Sequence, residues 1–188
     1  MPTVEREVLV VPTGYASAEA ASTMAQLDDQ SERLLKDLAG ITPAELEWQP
    51  GPGMNTIGML LAHNAIVEVL WSQAAVGEPI NTEPIVGLDA RAGDGMPMEP
   101  DAAPPVHLAG KPVSYYLDLL QKARVFAKQK AMALKDSEME IIRSRTRRNG
   151  TLNEFNPRWV LYHMVEHFAG HYGQILLLRH QYRDRPSA

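Results

Sequence analysis

Apolar residues recur three or four positions apart in four stretches of the chain, which is the repeat of an amphipathic helix. In the first stretch Met24, Leu27 and Leu34 repeat in this way between charged residues. The predicted helices cover residues 17–38, 55–76, 113–135 and 156–182. Four amphipathic helices of this length predict an all-α fold, a four-helix bundle.

Local signals mark the ends of these helices. Gly40 ends the first helix, Asn55 is the expected N-cap of the second, and Asn156 followed by Pro157 begins the last. A linker at 77–112, rich in proline, glycine and acidic residues, joins the second and third helices. So long a connection is generally functional or partly mobile. It is also long enough to return along a helix, so it permits the second and third helices to run parallel.

A basic cluster and a turn signal precede the last helix. Residues 143–148 contain four arginines, and we expect a solvated loop or a helix end there rather than a nucleic-acid contact, because no aromatic residues are interleaved. Asn149 and Gly150 then predict a tight turn. This turn fits either a small hairpin or a loop.

The composition fits one domain over residues 1–188, with an N-terminal extension at 1–13. The chain has no cysteine, so histidine and carboxylate are the available metal ligands. The net charge of -5 and the pI near 5.7 argue against a nucleic-acid partner. No stretch is expected to reach the roughly 20 apolar residues of a membrane span, and the apolar run in 1–13 is too short for a signal peptide. We therefore expect a cytoplasmic protein with no membrane contact.

Three histidines form a row in the last predicted helix. His163, His167 and His171 are spaced by four, so each lies only about 40° round the helix from the one before. Two neighbours in such a row can bind one metal ion, and the spacing alone leaves open which two. His63 lies on the inward stripe of the second helix, Leu60, His63, Val67, Leu70 and Ala74.

These inward histidines have two interpretations. They are either core residues hydrogen-bonded to backbone or carboxylate groups, or the ligands of a divalent metal. We favour the metal site, because several inward histidines would need several buried partners at once and few buried carboxylates are evident. Glu68 and Glu166 are expected outside the ligand set, since both lie well round the helix from the histidines.

The remaining candidates are weaker. Gln174, three residues after His171, either orients that ligand, binds substrate or packs between helices. Gly170 and Gly173 are expected to allow a close helix approach. Four further side chains are interpreted as incidental or as core: His107, His180, Trp71 and Trp159.

Three segments resemble signature motifs of the DinB-like superfamily, and the resemblance extends over essentially the whole chain. They are WQPGPG at 48–53, NTIGMLLAH at 55–63 and HFAGHYGQ at 167–174. The resemblance implies a four-helix bundle in up-down-down-up order and a metal held by His63, His167 and His171. It selects this pair because Gly173 and Gln174 follow His171, which leaves His163 one turn away, beside the ligands or in the cavity.

The resemblance also implies a function. Characterised branches of the superfamily resemble transferases that use a low-molecular-weight thiol such as bacillithiol or mycothiol, so we expect a metal-dependent thiol S-transferase. A metal-dependent hydrolase and a non-catalytic metal-binding stress-response protein are the alternatives. Zinc, nickel, iron and copper all suit three imidazoles. A homodimer is implied as well, and Tyr172 departs from the superfamily's frequent arginine at that position.

Overall fold

The computed structural model describes residues 8–96, 102–147 and 149–185. This part of the chain is mostly helical, as predicted, and contains one small antiparallel sheet. The elements are α1 (Ala18–Asp37), α2 (Pro43–Glu47), α3 (Ile57–Val76), α4 (Glu83–Val86), α5 (Val113–Ala133), β1 (Arg143–Thr146), β2 (Leu152–Phe155) and α6 (Pro157–Asp184). The four long helices α1, α3, α5 and α6 match the four predicted stretches.

Side-chain caps begin three of the four long helices, α1, α3 and α6, with one correction to the prediction. The predicted start of α6 is confirmed, because the Asn156 side chain accepts the Trp159 backbone N–H at 2.9 Å. The N-cap of α3 is Thr56 rather than Asn55, since the Thr56 hydroxyl accepts the Met59 N–H at 3.1 Å. Either residue type suits an N-cap, so composition did not decide between adjacent positions.

Helix α3 is the most enclosed of the long helices. Every residue of α3 is buried except His63, Leu70 and Val76, and the helix packs against both α5 and α6. Helix α1 also contacts α5 and α6. Each of the four long helices therefore has two long helices as neighbours, and the apolar core lies between them.

The near-complete burial of α3 corrects the expectation that no stretch resembles a membrane span. By length and composition alone, Ile57–Val76 is apolar enough to cross a membrane, with a mean hydropathy of 1.2. Most of its most apolar stretch, 83%, is buried inside the protein. The core helix of a folded domain has the same composition, so this feature is weak evidence for a membrane span.

Two buried carboxylates form ion pairs with arginines. Arg124 on α5 donates from Nε and Nη2 to the two oxygens of Glu68 on α3, at 2.5 and 3.2 Å, and from Nη1 to Asp28 on α1 at 2.9 Å. Arg179 on α6 donates to the buried Glu45 at 2.7 Å. Glu45 and Glu68 are the buried carboxylates among the described residues, in line with the expectation of few, and neither is a partner of the histidines. Glu68 lies outside the histidine cluster, as expected.

The linker between α3 and α5 is held to α3 by a buried amide. The Gln73 side chain exchanges two hydrogen bonds, each of 3.0 Å, with the backbone N–H and C=O of Asn81. Further along, the Tyr116 hydroxyl donates to the Leu108 carbonyl at 3.1 Å. Residues 97–101 of this linker lie outside the described part of the chain.

The basic cluster lies in a hairpin rather than in a solvated loop or a helix end. β1 pairs with β2 with Arg143 opposite Phe155, and Gly150 takes a positive φ of 80° in the turn between them. Arg143 and Arg145 are half-buried, and Arg148 is not among the described residues. The small hairpin was one of the two forms expected at Asn149 and Gly150, and the sequence did not decide for it because the alternating strand residues are arginine, serine and threonine rather than apolar residues.

The expected close helix approach at Gly170 and Gly173 is wrong. Both glycines lie on an exposed face of α6, and a Cβ atom added at either would meet nothing within 4 Å. The rotation of α6 about its axis is set by the histidine and apolar faces, which leaves the glycine face uncovered by the described residues.

The buried ion pair gives a stability prediction. The Glu68→Ala substitution strands the Arg124 guanidinium inside the protein, so it should lower the free energy of unfolding by about 3–5 kcal/mol. Asp29→Ala is the control, because Asp29 pairs with Arg33 at an exposed position and such pairs contribute only about 0–1 kcal/mol. Urea unfolding followed by circular dichroism measures both. Equal destabilisation by the two substitutions would contradict the prediction.

Candidate metal centre

Three imidazole nitrogens converge between α3 and α6. The Nε2 atom of His167 lies 3.1 Å from Nε2 of His63 and 3.2 Å from Nε2 of His171. One ring nitrogen from each of the three residues falls within a group no more than 4.8 Å across. Metal–nitrogen bonds of about 2.0–2.1 Å at tetrahedral or octahedral angles separate neighbouring nitrogens by roughly 3.0–3.4 Å. The spacing therefore fits three ligands of one ion.

The backbone explains why these side chains meet. His167 and His171 lie one helical turn apart on the face of α6 that packs against α3, and His63 lies on the facing side of α3. The linker covers the same turn of α3, because a Cβ atom at Gly95 would lie only 3.0 Å from the His63 backbone N and Cα. Only glycine fits this approach without movement of the linker.

Hydrogen bonding alone cannot satisfy this arrangement. A neutral imidazole nitrogen carries either one hydrogen or one lone pair, so Nε2 of His167 can make only one of its two close N···N contacts a hydrogen bond. A cation that accepts all three lone pairs would satisfy every nitrogen at once. The donor set of three imidazoles is one that zinc, nickel, iron and copper accept.

Gln174 fixes the orientation of one of these rings. Its Oε1 atom lies 2.8 Å from Nδ1 of His171, so Nδ1–H donates to the amide oxygen and the lone pair remains on Nε2. This is the contact of a side chain that orients a ligand, one of the interpretations that the sequence allowed for Gln174.

The surroundings keep the three imidazoles neutral. Burial lowers the pKa of His63 to about 4, with a smaller contribution from His171. Burial, together with smaller contributions from the neighbouring histidines, lowers the pKa of His167 to about 2. The pKa of His171 is lowered by burial, partly offset by its hydrogen bond to Gln174. Neutral imidazole is the form that binds metal, so the site is ready for an ion at pH 7.

His163 lies beside the cluster but does not join it. Its ring stacks on Trp159 at 4.6 Å and meets the edge of Trp71 at 5.2 Å, and its Nδ1 lies 3.5 Å from the exposed Glu166 carboxylate. Trp71 is buried as expected, whereas Trp159 is 37% exposed, so the prediction that both tryptophans are core residues is wrong for Trp159. It covers His163 rather than filling the core.

A cleft of about 740 Å³ lies next to His63. Its walls are the outer stripe of α3, the linker from Glu78 to Met96, and the hairpin. The residues of α3 and its C-cap on this wall are His63, Ile66, Val67, Leu70, Ala74 and Gly77. The stripe predicted to face the core therefore faces this cleft along most of its length, because the other sides of α3 are covered by α5 and α6.

Other side chains near the site were missed or only partly interpreted from sequence. Both amide atoms of Asn64 are buried beside His167 without a hydrogen-bond partner in the described residues, and the position next to His63 was the only available signal. Tyr172 donates its hydroxyl to the Asp37 carboxylate, which ties α6 to α1. His107 and His180 are both exposed, and neither joins the cluster.

A family model described as mycothiol-S-transferase matches residues 23–184. The matched region contains all three converging histidines and the cleft wall. A comparison with curated proteins gave no match. The family is part of the DinB/YfiT-like superfamily, so the resemblance seen in the sequence is confirmed. The chain belongs to the mycothiol-S-transferase family.

Proposed function

We propose that the protein is a divalent-metal-dependent S-transferase that joins a low-molecular-weight thiol, such as mycothiol, to a small electrophile. The observation that carries the proposal is the convergence of three neutral imidazole nitrogens beside a cleft large enough for small molecules. Family membership supports the transferase over the hydrolase and over a non-catalytic role. His63, His167 and His171 are the proposed ligands.

The metal ligands and the substrates have different roles in the proposed reaction. A bound divalent ion would supply positive charge that favours the thiolate form of a thiol. The three histidines add no charge of their own, and Gln174 holds His171 in the tautomer with its Nε2 lone pair free. The chain has no cysteine, so the sulfur nucleophile comes from the cosubstrate. Its thiol proton passes to solvent, a carbon–sulfur bond forms, and the electrophile's leaving group departs with its electron pair.

The proposal includes the architecture typical of the superfamily. We propose one domain over residues 1–188, with 1–13 as an extension and 77–112 as the long linker of an up-down-down-up four-helix bundle. The contacts of α1 and of α3 with both α5 and α6 support this arrangement. A homodimer and a cytoplasmic location stay predictions.

The ligand set predicts metal content. Purified protein exchanged into chelator-free buffer should hold about one divalent ion per chain, and the His167→Ala/His171→Ala variant should hold almost none, because two of three ligands are gone. His180→Ala, at an exposed position of the same helix, is the matched control and should keep the ion. Elemental analysis measures the metal content per chain. Retention of the metal by the double variant would disprove this ligand set.

The reaction predicts a thiol-dependent rate. Metal-loaded protein incubated with a panel of low-molecular-weight thiols and 1-chloro-2,4-dinitrobenzene should release chloride, and His63→Ala should slow this by at least about 100-fold, since loss of a ligand exceeds loss of its supporting residue. His180→Ala, at an exposed position of α6 outside the cleft, is the control. Equal rates for wild type and His63→Ala with every thiol would refute the transferase. Ester or amide hydrolysis without thiol would favour the hydrolase instead.

The lowered pKa values predict metal binding that resists acid. Protons compete with metal only below the pKa of the empty site, which for His63 is about 4 and for His167 about 2, against an ordinary value of 6.5. Zinc affinity measured by equilibrium dialysis should therefore fall less between pH 7 and pH 5.5 than it would with three ordinary imidazoles. An unstructured peptide with three histidines should lose affinity over the same interval. A parallel loss in the protein would contradict the prediction.

A further inference from the structure

The cleft beside His63 is positively charged although the protein carries a net charge of -5. Four arginines line it: Arg91, Arg143, Arg145 and Arg147. Among the described residues, only two carboxylates line the cleft, and each already has a partner. Glu78 pairs with Lys130 at 2.6 Å, and the Asp94 side chain accepts the Asp89 backbone N–H at 2.7 Å. The local field therefore favours an anion against the charge of the whole molecule.

Two of these arginines have a buried N–H donor without an acceptor. The Nε–H groups of Arg143 and Arg145 are buried and meet no acceptor within the part of the chain that the structure describes. No carboxylate among those residues forms an ion pair with either side chain. A buried cationic donor without an acceptor is costly, so such a group is satisfied by an ordered water or by a bound anion.

The two guanidinium groups are nevertheless held in place. Arg145 lies over the Trp71 ring, with its central carbon 4.4 Å from the ring centroid. Arg143 fills the space at Gly77, the C-cap of α3, where a Cβ atom would lie within 2.4 Å of its Nη1. The negative end of the helix dipole stabilises a cation there. Burial lowers the pKa of Arg145, and neighbouring Arg147 lowers it further, as expected for positive charges without a nearby anion.

We propose that Arg143 and Arg145 bind a carboxylate or phosphate group on one of the two small substrates while the reacting end of that substrate lies near His63. This inference rests on the proposed function for the reaction, but its anion site stands on the cleft alone. The planar donor fork of arginine suits both anions. The cleft of about 740 Å³ has room for a small molecule that extends from the hairpin to His63.

A binding experiment tests the anion site without any reaction. Succinate and inorganic phosphate are titrated by calorimetry into the full-length wild type and into Arg143→Gln and Arg145→Gln. Loss of one charge-assisted contact should weaken binding by about 10–100-fold. Arg183→Gln removes the same charge outside the cleft and should bind like wild type. Unchanged binding in both cleft variants, or no binding to wild type, would overturn the proposal.

The same titration is repeated in the His167→Ala/His171→Ala variant. Binding that persists there and still depends on the arginines excludes direct anion–metal contact. Binding that disappears with these histidines would overturn the proposal. Because Arg145 covers Trp71, each variant is checked by thermal unfolding, and Arg145→Lys, which keeps the charge, serves if Arg145→Gln does not fold.

A kinetic experiment identifies which substrate carries the anion. One matched pair of electrophiles is 4-chloro-3-nitrobenzoate and its carboxamide, and one matched pair of thiols is N-acetylcysteine and its amide. In each reaction the thiolate sulfur bonds to the ring carbon, chloride leaves with its electron pair, and the thiol proton passes to buffer. Wild type should have a kcat/KM about 10–100-fold higher for the acid than for the amide in one of the two pairs. That pair shows whether the electrophile or the thiol carries the anion.

The variants then separate this inference from the proposed function. Arg145→Gln should abolish the preference for the acid, and Arg145→Lys should restore part of it. Arginine-dependent anion binding without any transfer would refute the transferase and leave the anion site supported. Transfer with no acid preference in either pair would refute the anion site and leave the transferase supported.

Discussion

The bidentate ion pair between Glu68 and Arg124 is the interaction on which the packing of the long helices depends. Helix α3 is apolar on nearly every side, yet it carries a carboxylate into the core, and an unpaired carboxylate there would be strongly unfavourable. Arg124 on α5 satisfies both carboxylate oxygens and also reaches Asp28 on α1. One guanidinium group thereby connects three of the four long helices and sets how α3 is rotated between its neighbours.

That rotation places the three converging histidines. Glu68 follows His63 by five residues, which is about 140° round a helix, so the side of α3 that carries His63 is turned away from Arg124. It is directed instead toward α6, where His167 and His171 supply the other two nitrogens. The linker covers this turn of α3 through Gly95, and the rest of the His63 stripe forms one wall of the cleft. Core stability and site geometry thus use different faces of the same helix.

The features predicted from sequence are those governed by local rules. The 3–4 spacing of apolar residues located the four long helices, and the spacing of His167 and His171 placed them on one face of α6 because helix geometry requires it. Apart from the meeting of His63 with His167 and His171, which the resemblance implied, features that depend on distant partners were not predicted. The pairing of Glu68 with Arg124 joins positions 56 residues apart, and the exposed face at Gly170 depends on which neighbours pack against α6. The sequence left β1 as one alternative beside a loop, because strand alternation is read from apolar residues, and Arg143 and Arg145 replace them.

The arginine wall addresses a problem that a thiol transferase faces with an acidic substrate. A thiolate and a carboxylate about 4 Å apart repel by roughly 1 kcal/mol in water and by roughly 4 kcal/mol at the effective dielectric constant near a protein surface. The net charge of -5 would add to that repulsion unless positive charge were concentrated locally. His63, one of the three proposed ligands, lines one part of this cleft and Arg143 and Arg145 line another, so in the proposed reaction each anion has its own positive partner. Separation of the two sites keeps the acid from competing with sulfur for the same position, which a single shared cation would not achieve.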